Sequence, residues 1–163
     1  MTEIEERSPI IRHPGDGPTV STGPLQVRYL VEQEDGVPWS MIHYTAPAGF
    51  GPPAVLHRHT RETAAFYILD GALEMTFMHG TERLDPGALV VLPPGCWFRW
   101  RNANEDRSAS WLNIFAPAGF EQFFREVVEA VESRGGADPA VIAEVLPPSR
   151  AKYGDQDHPE GLS

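Results

Sequence analysis

The sequence predicts an all-β fold, an antiparallel sandwich or barrel, with helices packed on it at the C-terminal end. Between residues 25 and 116, short apolar runs alternate with turn clusters that contain Gly, Pro or Asp. The chain has 16 Pro and 15 Gly in 163 residues, which favours many turns and disfavours a helical bundle. Only after residue 116 do apolar residues recur at the spacing of a helix.

This change of pattern divides the chain into four segments. Residues 1–24 are rich in charge, Pro and Gly, which predicts an extended arm with one edge strand near Thr19–Thr22. Residues 25–116 form the predicted barrel, and residues 117–146 the predicted helices. The last segment, residues 147–163, is a polar tail, and its last ten or so residues are expected to be loose.

Two helices are predicted in the third segment. The first has an apolar face with a charged face opposite, formed by Glu121, Arg125, Glu129 and Glu132, and it ends at Gly135-Gly136. The apolar face consists of Phe120, Phe123, Phe124, Val127, Val128 and Val131. Asp138-Pro139 provides the N-cap and the first-turn proline of a short second helix, which Pro147-Pro148 is expected to end.

Composition excludes several classes of partner. The formal net charge of −10 repels nucleic acid and anionic membrane surfaces. The single cysteine, Cys96, has no partner for an intramolecular disulfide, which favours the cytosol. The acidic N-terminus carries no apolar segment of the kind that directs secretion or anchors a protein in a membrane.

The most informative residues are two histidines at positions 57 and 59. Residues i and i+2 of a strand share a face, so His57 and His59 can approach one ion or one substrate together. We therefore expect a functional site in which these two imidazoles bind the ion or the substrate.

The residues around this pair resemble the two sequence motifs of the cupin family. Gly51, His57, His59 and Gly71 match the first motif, G-x5-H-x-H-x(3,4)-E-x6-G. The second motif, G-x5-P-x-G-x2-H-x3-N, is matched by Gly87, Pro93, Gly95 and Asn102. The resemblance covers roughly residues 25–134 and is nearest to small single-domain cupins labelled as quercetin-dioxygenase-like. It implies a small, jelly-roll-like β-barrel, often a homodimer, whose interior commonly holds Fe, Mn, Ni, Cu or Zn on three His and one Glu.

Two of the four metal ligands of that pattern are replaced in this chain. Ala64 stands where the motif has Glu, and Phe98 stands where the second motif has His. Two imidazoles without an anionic ligand hold a divalent ion weakly, so we expect no cofactor. If a metal is present, Glu62 is the nearby carboxylate that could join His57 and His59, although the favoured interpretation of Glu62 is a solvated turn residue.

The same alignment predicts a largely apolar cavity. If Ala64 and Phe98 face inward, strand alternation turns Phe66, Ile68 and Trp100 inward too. Asn113 interrupts an apolar strand, so it either faces the cavity or bonds to the backbone. Only one of His43 and Tyr44 can face inward, and Tyr44 is included among the expected substrate-binding residues. The predicted ligand is a small hydrophobic organic molecule.

Three functions are compatible with these residues. The leading hypothesis is an enzyme of natural-product metabolism that works without metal and uses His57 and His59 as acid and base. It would isomerise, dehydrate or cyclise an aromatic or polyketide-like substrate, as several small cupins of such pathways do. The second is a quercetinase-like dioxygenase with a metal on His57, His59 and Glu62. The third is a non-catalytic, ligand-binding cupin.

Overall fold

A computed structural model describes residues 4–52 and 55–163 and confirms the predicted fold class. Eleven strands and two α-helices are described within these ranges. The strands are β1 (Thr19–Thr22), β2 (Leu25–Val31), β3 (Ser40–Ala46), β4 (His57–His59), β5 (Thr63–Asp70), β6 (Leu73–Phe77), β7 (Gly80–Leu84), β8 (Leu89–Leu92), β9 (Phe98–Asn102), β10 (Ala109–Ala116) and β11 (Asp155–Asp157). A short 3-10 helix covers Gln33–Asp35, and the α-helices are α1 (Gln122–Glu132) and α2 (Pro139–Lys152).

The strands form two antiparallel sheets that enclose one apolar core. The first sheet has the order β1-β2-β3-β10-β5-β8, and the second has the order β11-β4-β9-β6-β7. Inward residues alternate with outward ones along β3, β5 and β10, as expected for strands with one buried face. Tyr44, Phe66 and Trp111 from the first sheet meet Met75 and Phe98 from the second in this core.

The structure confirms the predicted N-terminal edge strand and the two predicted C-terminal helices. The edge strand near Thr19–Thr22 is β1, which pairs with β2. The predicted amphipathic helix is α1, and Phe124, Val127 and Val131 on its apolar face are buried. The helix predicted to begin at Asp138-Pro139 is α2, and the Asp138 side chain caps it by accepting a hydrogen bond from the amide of Ala140 at 2.8 Å.

The predicted place of Glu121 on the exposed face of α1 is wrong. Glu121 has no exposed surface. Its carboxylate accepts hydrogen bonds from the amides of Gln33 at 2.6 Å and Gly119 at 2.7 Å. Because Glu121 precedes the first turn of α1, its carboxylate satisfies two backbone amides of the adjoining loops instead of facing water.

The C-terminal segment also differs from the prediction. Pro147 and Pro148 do not end α2, which continues to Lys152. Beyond the prolines, the ammonium group of Lys152 bonds the carboxylate of Glu126 at 2.8 Å, and the Tyr153 ring packs on Phe120 and Phe123. These contacts join the end of α2 to α1 and to Phe120, which lies just before α1, although the two prolines cannot donate backbone hydrogen bonds.

Residues 155–157, expected to be loose, form β11 and pair with β4. Gly154 makes the turn before this strand, with a positive φ of 72°. The Gly154 carbonyl accepts hydrogen bonds from the Thr60 hydroxyl at 2.9 Å and the Thr60 amide at 3.0 Å. A side chain on Gly154 would lie only 2.5 Å from Thr60 Oγ1, so the close approach of the two segments requires glycine.

The homodimer implied by the family resemblance stays a prediction, and the outer face of the first sheet offers a surface for it. Four large apolar side chains are exposed on β5 and β8, namely Tyr67, Leu69, Leu89 and Val91. We expect light scattering at micromolar concentration to give twice the 18.0 kDa mass of one chain. The double substitution of Leu89→Asp with Val91→Asp should then give monomers. A wild-type mass near 18.0 kDa would contradict the prediction.

Candidate active site

One large cavity lies inside the barrel and continues outward between α1 and α2. Its volume is about 830 Å³, within the range of small-molecule sites. Its walls are mostly apolar, and the polar groups that reach it from the barrel include His57, His59, Tyr44 and Asn113. The cavity is therefore suited to a hydrophobic organic ligand that is oriented by a few polar contacts.

Seven of the eight residues predicted for the site line this cavity. They are His57, His59, Tyr44, Phe66, Phe98, Trp100 and Asn113.

Ile68 is the exception: it is buried with 1% of its surface exposed, but it does not line the cavity. Trp111 lies opposite Ile68 in the pairing of β5 with β10 and stacks on Tyr44, with ring centroids 5.0 Å apart. The large indole fills the barrel at that level, so Ile68 packs in the core.

The structure also answers the question of which residue of β3 faces inward. Tyr44 is buried and lines the cavity, and His43 points to the other face of the sheet. Asn113 is 3% exposed, and its Oδ1 atom has no hydrogen-bond partner among the described residues. An unpaired amide oxygen at this depth is costly, which makes Asn113 a candidate to bind a ligand or an ordered water.

The two histidines lie side by side on β4, with ring centroids 5.8 Å apart. Phe98 is paired in register with His57 and packs against both imidazoles, with ring centroids 4.4 Å from His57 and 5.7 Å from His59. The amide of Gly95, in the second motif, donates a hydrogen bond to the His59 carbonyl at 2.8 Å. The two sequence motifs therefore meet at the histidine pair.

Glu62 is not a solvated turn residue, which corrects the favoured interpretation of the sequence. Its side chain is buried, with 5% of the residue exposed, and its Oε1 atom lies 2.7 Å from His59 Nδ1. The turn after β4 returns the chain so that Glu62 reaches the ring three residues earlier. A carboxylate at this position accepts a hydrogen bond from the Nδ1–H group and so fixes the tautomer of His59, which leaves Nε2 as the free basic atom.

The environment of His57 keeps its imidazole neutral. Burial is the main cause that lowers the pKa of His57 to about 4, and it outweighs the attraction of the nearby Asp155 carboxylate. The positive Arg150 and the neighbouring His59 lower this pKa further. At neutral pH His57 is therefore an uncharged hydrogen-bonding group with one N–H donor.

The C-terminal strand contributes a charged wall that the sequence analysis missed. In the register of β11 with β4, Asp155 lies opposite His59 and Asp157 opposite His57. The Arg150 guanidinium donates to both oxygens of Asp155, at 2.8 and 3.0 Å, and to Asp157 at 2.6 Å. Burial opposes ionisation of Asp155, but Arg150 outweighs it and holds the pKa of this carboxyl below its usual value. The alternation of Asp155 and Asp157 after a glycine turn was the sequence signal for this strand.

Stability should fall in acid because the folded protein resists protonation of His57. An unfolded histidine has a pKa of about 6.5, so between pH 6.5 and about 4 the unfolded chain binds a proton that the folded chain does not. The contribution is complete above pH 6.5 and declines by up to about 3 kcal/mol as the pH falls toward 4. Burial and Arg28 lower the pKa of His43, which acts in the same direction.

Urea unfolding at pH 7.5 and 4.5 measures this effect. The variant His57→Gln should lose less stability on acidification than the wild type, and His79→Gln, at an exposed position, should behave as the wild type. Asp155 titrates below this pH window, so it does not obscure the result. An unchanged acid response in His57→Gln would contradict the assignment.

A two-sheet barrel with a histidine pair in an apolar cavity and helices at the C-terminal end is the architecture of a cupin. The family model described as "Cupin domain" matches residues 42–115, and solved cupin structures share the fold. Residues 42–115 therefore match a cupin domain, and the chain has the fold of the cupin superfamily.

Solved structures similar to this chain share its fold at low sequence identity. Ectoine synthase from P. lautus is 18% identical with a TM-score of 0.57, and the alignment covers 91% of this chain and 89% of that one. KdgF from Halomonas sp. is 19% identical with a TM-score of 0.56, covering 71% and 99%. The polyketide cyclase RemF from Streptomyces resistomycificus is 15% identical with a TM-score of 0.54, covering 69% and 80%. None of the curated proteins compared with the chain matches it.

The donor set at this site does not fit the metal ions that the fold commonly holds. Among residues 4–52 and 55–163, no three His, Cys, Asp or Glu side chains converge on one point where an ion could bind. Phe98 packs against both imidazoles, and Glu62 bonds the Nδ1 atom of His59 instead of facing an ion beside His57. Asp155 and Asp157 are bound by Arg150. We therefore derive no chemical step through a metal.

Among the described residues, neither α1 nor α2 has the length and apolar character to span a bilayer.

Proposed function

We propose that this cupin is a small-molecule enzyme that catalyses proton transfer within a hydrophobic substrate. The observation that carries the proposal is the buried hydrogen bond between Glu62 and His59, beside a neutral His57, in an apolar cavity. The reaction class is isomerisation, dehydration or cyclisation, in which one proton leaves an acidic C–H or O–H bond and another is delivered elsewhere.

In this proposal His59 is the general base. The Nδ1–H group of His59 donates a hydrogen bond to Glu62, so the lone pair on Nε2 is free to take a proton from the substrate. The imidazolium that forms is stabilised by the adjacent carboxylate, as the aspartate stabilises histidine in a Ser-His-Asp triad. When the proton returns to another substrate atom, His59 is restored to its starting state.

His57 has the complementary role. Since its pKa is lowered to about 4, it does not compete with His59 for the substrate proton at neutral pH. Its N–H group can donate a hydrogen bond to the negative oxygen that develops when a proton leaves the carbon beside a carbonyl. The pair therefore separates into one base and one hydrogen-bond donor.

The apolar cavity supports a substrate with an aromatic or polyketide-like body. Phe66, Phe98 and Trp100 contribute aromatic surface to the walls. Two solved structures with the same fold, a polyketide cyclase and an ectoine synthase, support a proposal of this reaction class. Within the proposal, natural-product metabolism is the expected setting.

The test is the keto–enol interconversion of 1-phenylbutane-1,3-dione, a neutral aromatic diketone whose enol absorbs in the ultraviolet. We expect the wild-type protein to accelerate interconversion over buffer at pH 7.5, and the exposed-site variant His79→Ala to do the same. Binding of the diketone without acceleration would favour a non-catalytic ligand-binding cupin. If added Fe²⁺ and oxygen caused oxidative cleavage of the diketone instead, the dioxygenase would replace this proposal.

A further inference from the structure

The cavity extends beyond the histidine pair into the space between the two helices. Val128 and Val131 of α1 line this extension, as do Ile142, Ala143 and Leu146 of α2. Buried apolar residues here form a cluster separate from the barrel core. The proposed proton transfer involves only the histidine pair and does not use this space. The extension is therefore available to another part of the ligand.

The charged residues along the cavity wall carry a net negative charge. Arg150 is the only Lys or Arg among the described lining residues, and it is shared by Asp155 and Asp157. A further carboxylate, that of Glu132, lines the wall at the end of α1. An anionic ligand would therefore meet a net negative wall in a protein whose formal net charge is already −10.

We propose that the substrate is an uncharged, elongated molecule whose reactive end meets His57 and His59 and whose apolar tail lies between α1 and α2. The inference rests on the proposed function of the histidine pair, and it adds both the charge and the shape of the molecule. The tail would cover apolar surface of Val128, Val131 and Leu146 that otherwise borders the cavity. Carboxylates and phosphates of similar size would bind weakly.

Calorimetric titration of isosteric naphthalene probes tests the charge at pH 7.5. We expect neutral 2-naphthamide to bind at least about tenfold more tightly than the 2-naphthoate anion, because only the anion is repelled by the wall. Equal or tighter binding of 2-naphthoate would overturn the proposal. The 2-naphthamidinium cation completes the set, and if it bound the most tightly, the natural ligand would be cationic and the proposal would also fail.

The tail site is tested with 6-hexyl-2-naphthamide. Burial of the hexyl chain should raise the affinity over 2-naphthamide by at least about tenfold. Ala143 is a lining residue of the cavity that is also exposed to solvent, so the variant Ala143→Trp adds an indole where this space opens outward. The variant should remove this gain while 2-naphthamide still binds. The matched control, Ala151→Trp, alters an exposed position of α2 that does not line the cavity and should retain the gain. A gain that persists in Ala143→Trp would place the tail elsewhere and contradict the inference.

Failure here is distinguishable from failure of the proposed function. The naphthamides contain no proton that the enzyme would transfer, so their binding does not depend on catalysis. Selective binding of the neutral, alkylated probe without keto–enol catalysis would reject the proposed reaction but keep the binding site. Catalysis with no preference for the neutral probe or for the tail would reject this inference alone.

Discussion

Replacing His59 with alanine is expected to slow the catalysed keto–enol interconversion by about 10²–10⁴-fold, the usual contribution of a general acid or base. The physical reason is the loss of the free Nε2 lone pair that Glu62 positions. His57→Ala should lower the rate as well, because it removes the hydrogen-bond donor to the developing negative oxygen. Rates are measured at saturating diketone, with urea unfolding of each variant to confirm that it folds.

Glu62→Gln provides the control on how His59 works. The substitution keeps the size of the side chain but removes its negative charge, so it weakens stabilisation of the imidazolium. We expect kcat to fall by about tenfold or more with little change in KM, since Glu62 acts through His59 and does not line the cavity. A fully active, folded double variant of His57→Ala with His59→Ala would remove the imidazoles from the mechanism.

The second large effect is expected from rebuilding the four-ligand set of the family. Combining Ala64→Glu with Phe98→His should raise the affinity for Zn²⁺ by at least about 100-fold, because the glutamate adds an anionic ligand and the histidine completes the coordination. The ring of Phe98 already lies 4.4 Å from that of His57. Ala64 is on the inward face of β5 and is paired with Phe115, whose ring is 6.2 Å from that of His59.

Calorimetry with Zn²⁺ and metal analysis after dialysis measure this gain. We expect the wild type, purified without added metal, to carry well under one equivalent of transition metal. Because Ala64→Glu introduces a charge into the core and could disturb folding, Phe98→His alone is included and should give an intermediate affinity. A folded double variant that binds Zn²⁺ no better than the wild type would show that the four positions do not converge.

The barrel was predictable because its signals are local. Alternation of apolar residues marks the strands, and Gly71 and Gly87 mark turns where the backbone adopts positive φ. The motif residue Asn102 has a structural role, because its side-chain amide donates hydrogen bonds to the backbone carbonyls of Ala46, Pro47 and Arg107. The family motifs therefore report mainly on backbone geometry, which explains why they persist here although two metal ligands are replaced.

The candidate site was predictable only in part. Five of the seven predicted residues that line the cavity follow from the spacing of His57 and His59 and from strand alternation, once the motif alignment turns Phe98 inward. The inward position of Tyr44 and of Asn113 was left open by the sequence. Ile68 was included by the same alternation but is buried in the core opposite Trp111 and does not line the cavity. The volumes of side chains on neighbouring strands decide which inward residues reach a cavity.

The sequence by itself determined the fold class, the face of the histidine pair and the replacement of two metal ligands by Ala64 and Phe98, because each depends on residue type and short-range spacing. Only the tertiary structure decided that Glu62 is buried against His59, and that Asp155 and Asp157 lie beside the histidines almost a hundred residues earlier in the chain. The register of β11 on β4 and the depth of a turn are consequences of packing between distant segments. No local pattern encodes them, so the chemistry of this site emerges only when the chain is folded.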